Sequence, residues 1–188
     1  PWVEKAALGS GLALLAAGVV NVWAFPVKGA FAIFGFLFLL GFAASFLLRL
    51  KGPLQKLAGA SVVTSLLVFF LLNTNFYPQL LTYQGGNELA FDTKGKVDAK
   101  NVYFMPGIYS SSYNFYTAEL RKEFTDAALQ GPGPVWIATD KHRLHEIKLP
   151  ILQTYSHADY EVSTLQLPFV NPATRKNEIS QMMLVRVK

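Results

Sequence analysis

The run GAFAIFGFLFLLGFAASFLL (29–48) decides what kind of protein this is. It lies between Lys28 and Arg49 and holds no charged residue. A helix needs about 20 mostly apolar residues, at roughly 1.5 Å rise each, to cross about 30 Å of hydrocarbon. The density of Phe and Leu argues against the core helix of a water-soluble protein, so the stretch reads as a transmembrane helix.

Working outward, the same test passes twice more. No residue is charged between Lys5 and Lys28, and none between Lys56 and Glu88. A secretory signal peptide has one apolar run of about 7 to 15 residues, and successive long runs exclude that reading. Three spans are therefore expected, over about residues 6–25, 29–49 and 56–73. The first is rich in Ala and Gly and is the one for which a buried soluble helix competes. Trp2, Trp23 and Tyr77 fall near span ends, where aromatic rings with a polar tip prefer the headgroup zone. Small residues recur at four-residue spacing (Gly9, Ala13, Ala17; Gly41, Ser45; Ala60, Thr64). Such spacing either lets helix backbones approach closely or reflects ordinary Ala and Gly usage in membrane helices. The span interiors hold no ionisable side chain, which argues against a pump or channel built from these helices alone.

Charge gives the orientation. The net charge is +5, but residues 1–78 carry five Lys or Arg against the single Glu4, while the remainder has twelve basic and eleven acidic residues. The basicity is thus a topology signal, and nucleic-acid binding is not expected. The loop holding Arg49, Lys51 and Lys56 should be cytoplasmic, which puts Lys28 and everything after Asn73 outside. The chain starts at Pro1 and runs straight into apolar sequence, so it is expected to be part of a longer protein.

After Asn73 the composition becomes polar, and a small α/β extracytoplasmic domain with a mixed sheet is expected over 77–188. A surface helix is predicted from Pro78 to Phe91, weakened by Gly85 and Gly86. Strands are predicted at 101–105, 135–139 and 151–155, an amphipathic helix over 113–129, and a short helix over 141–148. A C-terminal hairpin is expected from strands at 160–167 and 181–187 joined by the polar loop 171–177.

The residues name no catalytic centre. The absence of cysteine removes disulfides, Cys-based metal sites and thiol nucleophiles. His142 and His145 lack the further ligands a metal site needs, and a solvated face accounts for them. The prolines of Gly131-Pro-Gly-Pro134 lack the N–H donors of a phosphate cradle. The serines 110–112 have neither an elbow motif nor a placed base, and read as a helix N-cap. The series Tyr103, Tyr109, Tyr113, Phe115 and Tyr116 suits either core packing or contact with sugars and headgroups, packing being favoured.

The segment NFYPQLLTYQGG (75–86) resembles the junction between the last membrane helix and the C-terminal extracytoplasmic domain of bacterial polytopic glycosyltransferases. These are the GT-C-type relatives of the lipid A aminoarabinose transferase and the protein O-mannosyltransferases. The resemblance implies transfer of a sugar from a polyprenyl-phosphate donor to a lipid, glycan or protein outside the bacterial cytoplasmic membrane. It implies that the catalytic acids, and the divalent metal where one is used, belong to loops near N-terminal helices that this chain lacks. No catalytic residue and no cofactor is therefore assigned here. The expected partners are membrane lipid, the polyprenyl-phosphate sugar and the missing N-terminal helices. Lys28 is the candidate contact for the carrier phosphate, against an ordinary snorkelling role, and Tyr109 and Tyr113 are candidates for sugar or acceptor contact. The competing function is a non-enzymatic, membrane-anchored binding or scaffold protein of the cell envelope.

Overall fold

The computed structural model describes residues 2–120 and 122–188, with the side chains of residue 5 and of residue 9 onward. The Trp2 indole and Arg121 lie outside that set. The chain divides into a helical unit, 1–80, and an α/β unit, 81–188.

Three helices build the first unit: α1 (Trp2–Ala24), α2 (Ala30–Arg49) and α3 (Pro53–Leu71). Helix α3 continues without a break through a π-helical turn, Leu72–Phe76, into α4 (Tyr77–Leu81). Pro53 opens α3 at a position where its missing N–H is not needed. Two helices are long and apolar enough to cross a membrane, Ala30–Arg49 with mean hydropathy 2.5 and Pro53–Leu81 with mean hydropathy 1.9. Only 11% of each hydrophobic window is buried, so neither is the enclosed core helix of a soluble unit. The apolar part of α1, Gly9–Ala24, is shorter.

Close helix contact occurs at glycines other than those of the predicted stripes. A Cβ at Gly35 would stand 2.6 Å from the Phe70 ring, and one at Gly59 2.5 Å from Leu50, whereas Gly9 and Gly41 have nothing within 4 Å. A π turn interrupts the usual i→i−4 ladder. Side chains of the turn bond back onto α3, with Asn73 Nδ2 donating to Phe69 O at 2.8 Å and Thr74 Oγ1 to Phe70 O at 2.7 Å.

In the second unit, α5 (Gly85–Thr93) precedes β1 (Val102–Phe104), α6 (Ser111–Thr117), β2 (Trp136–Asp140) and β3 (Gln153–Asp159). Two four-residue helices, α7 (Leu167–Val170) and α8 (Arg175–Glu178), lead to β4 (Ser180–Arg186). The sheet order is β1-β2-β4-β3, with β1 parallel to β2 and the other pairs antiparallel. Side chains alternate across a strand, so the central strands feed two cores. One face holds Phe104, Trp136, Ala138, Met182 and Leu184 against Leu89 and Tyr113, from α5 and α6. The other holds Ile137, Val185 and Val187 under Phe124, Leu144 and Ile147.

Several predicted elements need correction. The 113–129 helix stops at Thr117, where Ala118 takes the left-handed conformation with φ 56°. The following chain turns extended, and Phe104 N donates to Lys122 O while Phe124 N donates to Phe104 O. The predicted strand at 160–167 is absent: Ser163 Oγ donates to Glu161 Oε1 and Thr164 Oγ1 to Glu161 O, local bonds that favour a turn over a ladder. The strand that precedes β4 in the chain and pairs with it antiparallel is β3, and the link between them carries α7 and α8 instead of a short polar loop. Region 141–148 forms one 3₁₀ turn, Leu144–Glu146, because Asp140 Oδ1 accepts from Arg143 N and Arg143 grips Glu146 through two 2.8 Å bonds.

Candidate functional site

The helical unit carries a polar clamp at one end and an apolar groove beside it. Asn75, on the π turn, is 1% exposed. Its Nδ2 donates to Phe25 O at 2.6 Å and more weakly to Asn21 Oδ1 at 3.4 Å, and its Oδ1 accepts from Gln79 Nε2 at 2.7 Å. Gln79 also donates to Pro26 O at 3.0 Å. The Phe25 and Phe76 rings meet edge to face at 5.1 Å. The clamp fixes the α1–α2 turn, on which Lys28 is exposed to solvent. The groove, of about 500 Å³, is lined by Leu15, Val19 and Val22 of α1, Leu40 of α2, and Thr64 and Leu71 of α3. Its walls are almost wholly hydrocarbon.

In the α/β unit, the segment Tyr83–Gly86 hooks the chain onto the sheet. Tyr83 O accepts from Tyr160 N at 2.8 Å, and the Tyr83 ring stands edge to face with Phe169 at 5.1 Å. Phe169 also stacks on Tyr160 at 3.7 Å and lies 5.4 Å from the Arg175 guanidinium, whose Nε donates to Phe169 O at 2.8 Å. Gly85 N donates to Asp159 Oδ1 at 2.9 Å. A Cβ at Gly85 would fall 2.9 Å from both Asp159 Cβ and Met182 Cβ, and one at Gly86 only 1.9 Å from Ser110 Oγ. Both glycines are thus required by close packing.

This hook borders a polar cleft of about 280 Å³, lined by Gln84, Ser111, Ser112, Asp159, Tyr160 and Glu161. Burial pushes the Asp159 carboxyl above its usual range, the Gly85 N–H opposes the shift, and the charge of Asp140 adds to it. Ser110 caps α6, its Oγ accepting from Tyr113 N at 3.2 Å and lying 3.1 Å from Ser112 Oγ.

The predicted aromatic contacts separate. Tyr109 is 65% exposed, as a surface contact requires. Tyr113 is 2% exposed and packs edge to face on Phe104 at 5.9 Å, so its ring cannot meet a sugar and its place is the core. Burial raises the pKa of its hydroxyl, with Thr93 acting in the opposite direction. Phe115 and Tyr116 are exposed, and Tyr116 packs on Phe91 at 4.7 Å. His145 Nδ1 is engaged with His142 O at 2.7 Å. Among the described residues, no three His, Asp or Glu come together as a metal would need. Asp159 and Gln84 escaped sequence reasoning because they meet only through tertiary pairing; the Gly-Gly step was the one local sign that something packs closely there.

No protein-family profile, curated protein or solved structure matches the chain.

Proposed function

We propose that this chain is the C-terminal portion of an integral membrane glycosyltransferase that moves a sugar from a polyprenyl-phosphate donor to a lipid, glycan or protein acceptor. On this reading all three long helices span the bacterial cytoplasmic membrane. Helix α1, with 23 residues, is about 34 Å long at 1.5 Å per residue, enough for a hydrocarbon core of about 30 Å. The loop at 49–56 faces the cytoplasm and the α/β unit faces the periplasm or exterior, while catalytic acids and any divalent metal belong to helices outside this chain.

The observation that supports the reading is the apolar groove shared by α1, α2 and α3. A polyprenyl tail is a long hydrocarbon and pairs with such a surface through burial alone. Lys28, on the clamped turn, then meets the carrier phosphate. The test is sugar transfer by the full-length protein from radiolabelled polyprenyl-phosphate sugars, with Lys28→Ala compared. Transfer that weakens about tenfold at limiting donor supports the reading, since a charged hydrogen bond contributes about 1.5–3 kcal/mol. Absence of transfer with every donor overturns it. An unchanged donor requirement in Lys28→Ala removes the lysine from the site.

A further inference from the structure

We propose that the cleft between the start of α5, the serines of α6 and the end of β3 binds a sugar ring through its hydroxyl groups, with Asp159 as the anchoring acceptor. The identification of that sugar as the acceptor of the transfer rests on the transferase reading above; the binding itself does not.

The first support is the state of Asp159. Its side chain is partly buried, and one oxygen is satisfied by Gly85 N. Among the described residues, the other oxygen has no hydrogen bond. That oxygen stays open to solvent on the cleft wall, where a ligand hydroxyl can donate to it in place of water.

The second support is the mixture of groups around it. Glu161 adds a second acceptor, Ser111 and Ser112 add hydroxyls, and Gln84 turns its oxygen to Asn87, leaving its amide N–H groups as donors. Sugar hydroxyls donate and accept at once, and this set offers both. Two carboxylates repel an anion, and a metal would lack its third ligand. The walls are fixed in advance by the packed glycines and by the Tyr160, Phe169 and Arg175 stack, which lowers the ordering cost of binding.

The test uses saturation-transfer NMR on the chain in lipid nanodiscs, with methyl glycosides of hexoses and N-acetylhexosamines as probes and glycerol phosphate as the anionic control. Saturation of at least one glycoside but not of glycerol phosphate is expected, with a roughly tenfold affinity loss in Asp159→Asn and a several-fold loss in Glu161→Gln. Glu161 is exposed, so its variant reports on binding even where the Asp159 change disturbs folding. No saturation by any glycoside, or equal affinity in both variants and the parent, overturns the proposal. Binding without any transfer by the full-length protein leaves the cleft standing and overturns the transferase reading alone.

Discussion

Replacing Gly86 by alanine puts the docking of α5 to a quantitative test. The new Cβ would fall 1.9 Å from Ser110 Oγ, 2.7 Å from Ser112 Oγ and 3.1 Å from Ser110 Cβ. The Ser110 hydroxyl has to rotate away, which breaks its 3.2 Å bond from Tyr113 N and uncaps α6. Loss of such a cap costs about 1 kcal/mol. The remaining crowding adds about 1–3 kcal/mol. Alanine returns up to about 1 kcal/mol through its better helix propensity. The net destabilisation is about 1–4 kcal/mol, which lowers the melting temperature of a domain of this size by roughly 5–30 °C. Trp136, 4% exposed in the core, is the reporter once Trp2 and Trp23 are replaced by phenylalanine. Its emission on heating follows the α/β unit alone. The pair Gly86→Ala with Ser110→Ala should cost less than the two changes added, because the second removes the overlapping atom. A Gly86→Ala protein within about 0.5 kcal/mol of the parent, or strict additivity, would refute the argument.

Three further outcomes follow from the geometry. Asn75→Ala removes the buried bonds to Phe25 O and from Gln79 Nε2, a loss of about 1–3 kcal/mol; amide exchange at Asn21–Phe25 should quicken about tenfold or more, and unchanged exchange would show that the clamp holds nothing. For Asp159, the folded carboxyl titrates above its unfolded value, so the folded state binds more protons between the two, and stability falls as pH rises through that window. Asp159→Asn should accordingly be more stable than the parent at neutral pH and converge with it in acid; denaturation midpoints that run parallel across the acidic range would contradict this. A reporter enzyme active only in the cytoplasm, fused after Lys188, should stay silent, and strong activity would invert the proposed topology.

The parts of the fold legible in the sequence are those where one physical demand dominates. The apolar run between Lys28 and Arg49 gives α2 to within a residue, because an unbroken run of Phe, Leu and Ala leaves few alternatives to a helix, whereas α1 and α3 each start before the expected span and the third helix continues to Leu81. Strands β1, β2 and β4 were found because short β-prone runs whose side chains are mostly buried have few alternatives. Elsewhere several weak demands compete. Phe115 and Leu120 suggested the buried face of a long helix, yet they are 78% and 88% exposed. The backbone there is instead drawn into pairing with Phe104. The run from Tyr160 looked β-prone, but hydroxyls bonding back to Glu161 turn it. The cleft was invisible for a related reason: Gln84, Ser112 and Asp159 are distant in the chain, and only the register of β3 on β4 delivers Asp159 to the head of α5.

Strand β3 is also an outer rim of the sheet, with β4 on one side only. Its sequence, QTYSHAD, holds no Val, Ile or Leu, and Gln153, Thr154 and Ser156 are exposed. A rim with open backbone groups invites a strand from another molecule, and polar, charged side chains blunt that invitation. Along Gln153–Asp159 an incoming strand would find little apolar surface to seal against, so this rim is a poor template for pairing between molecules.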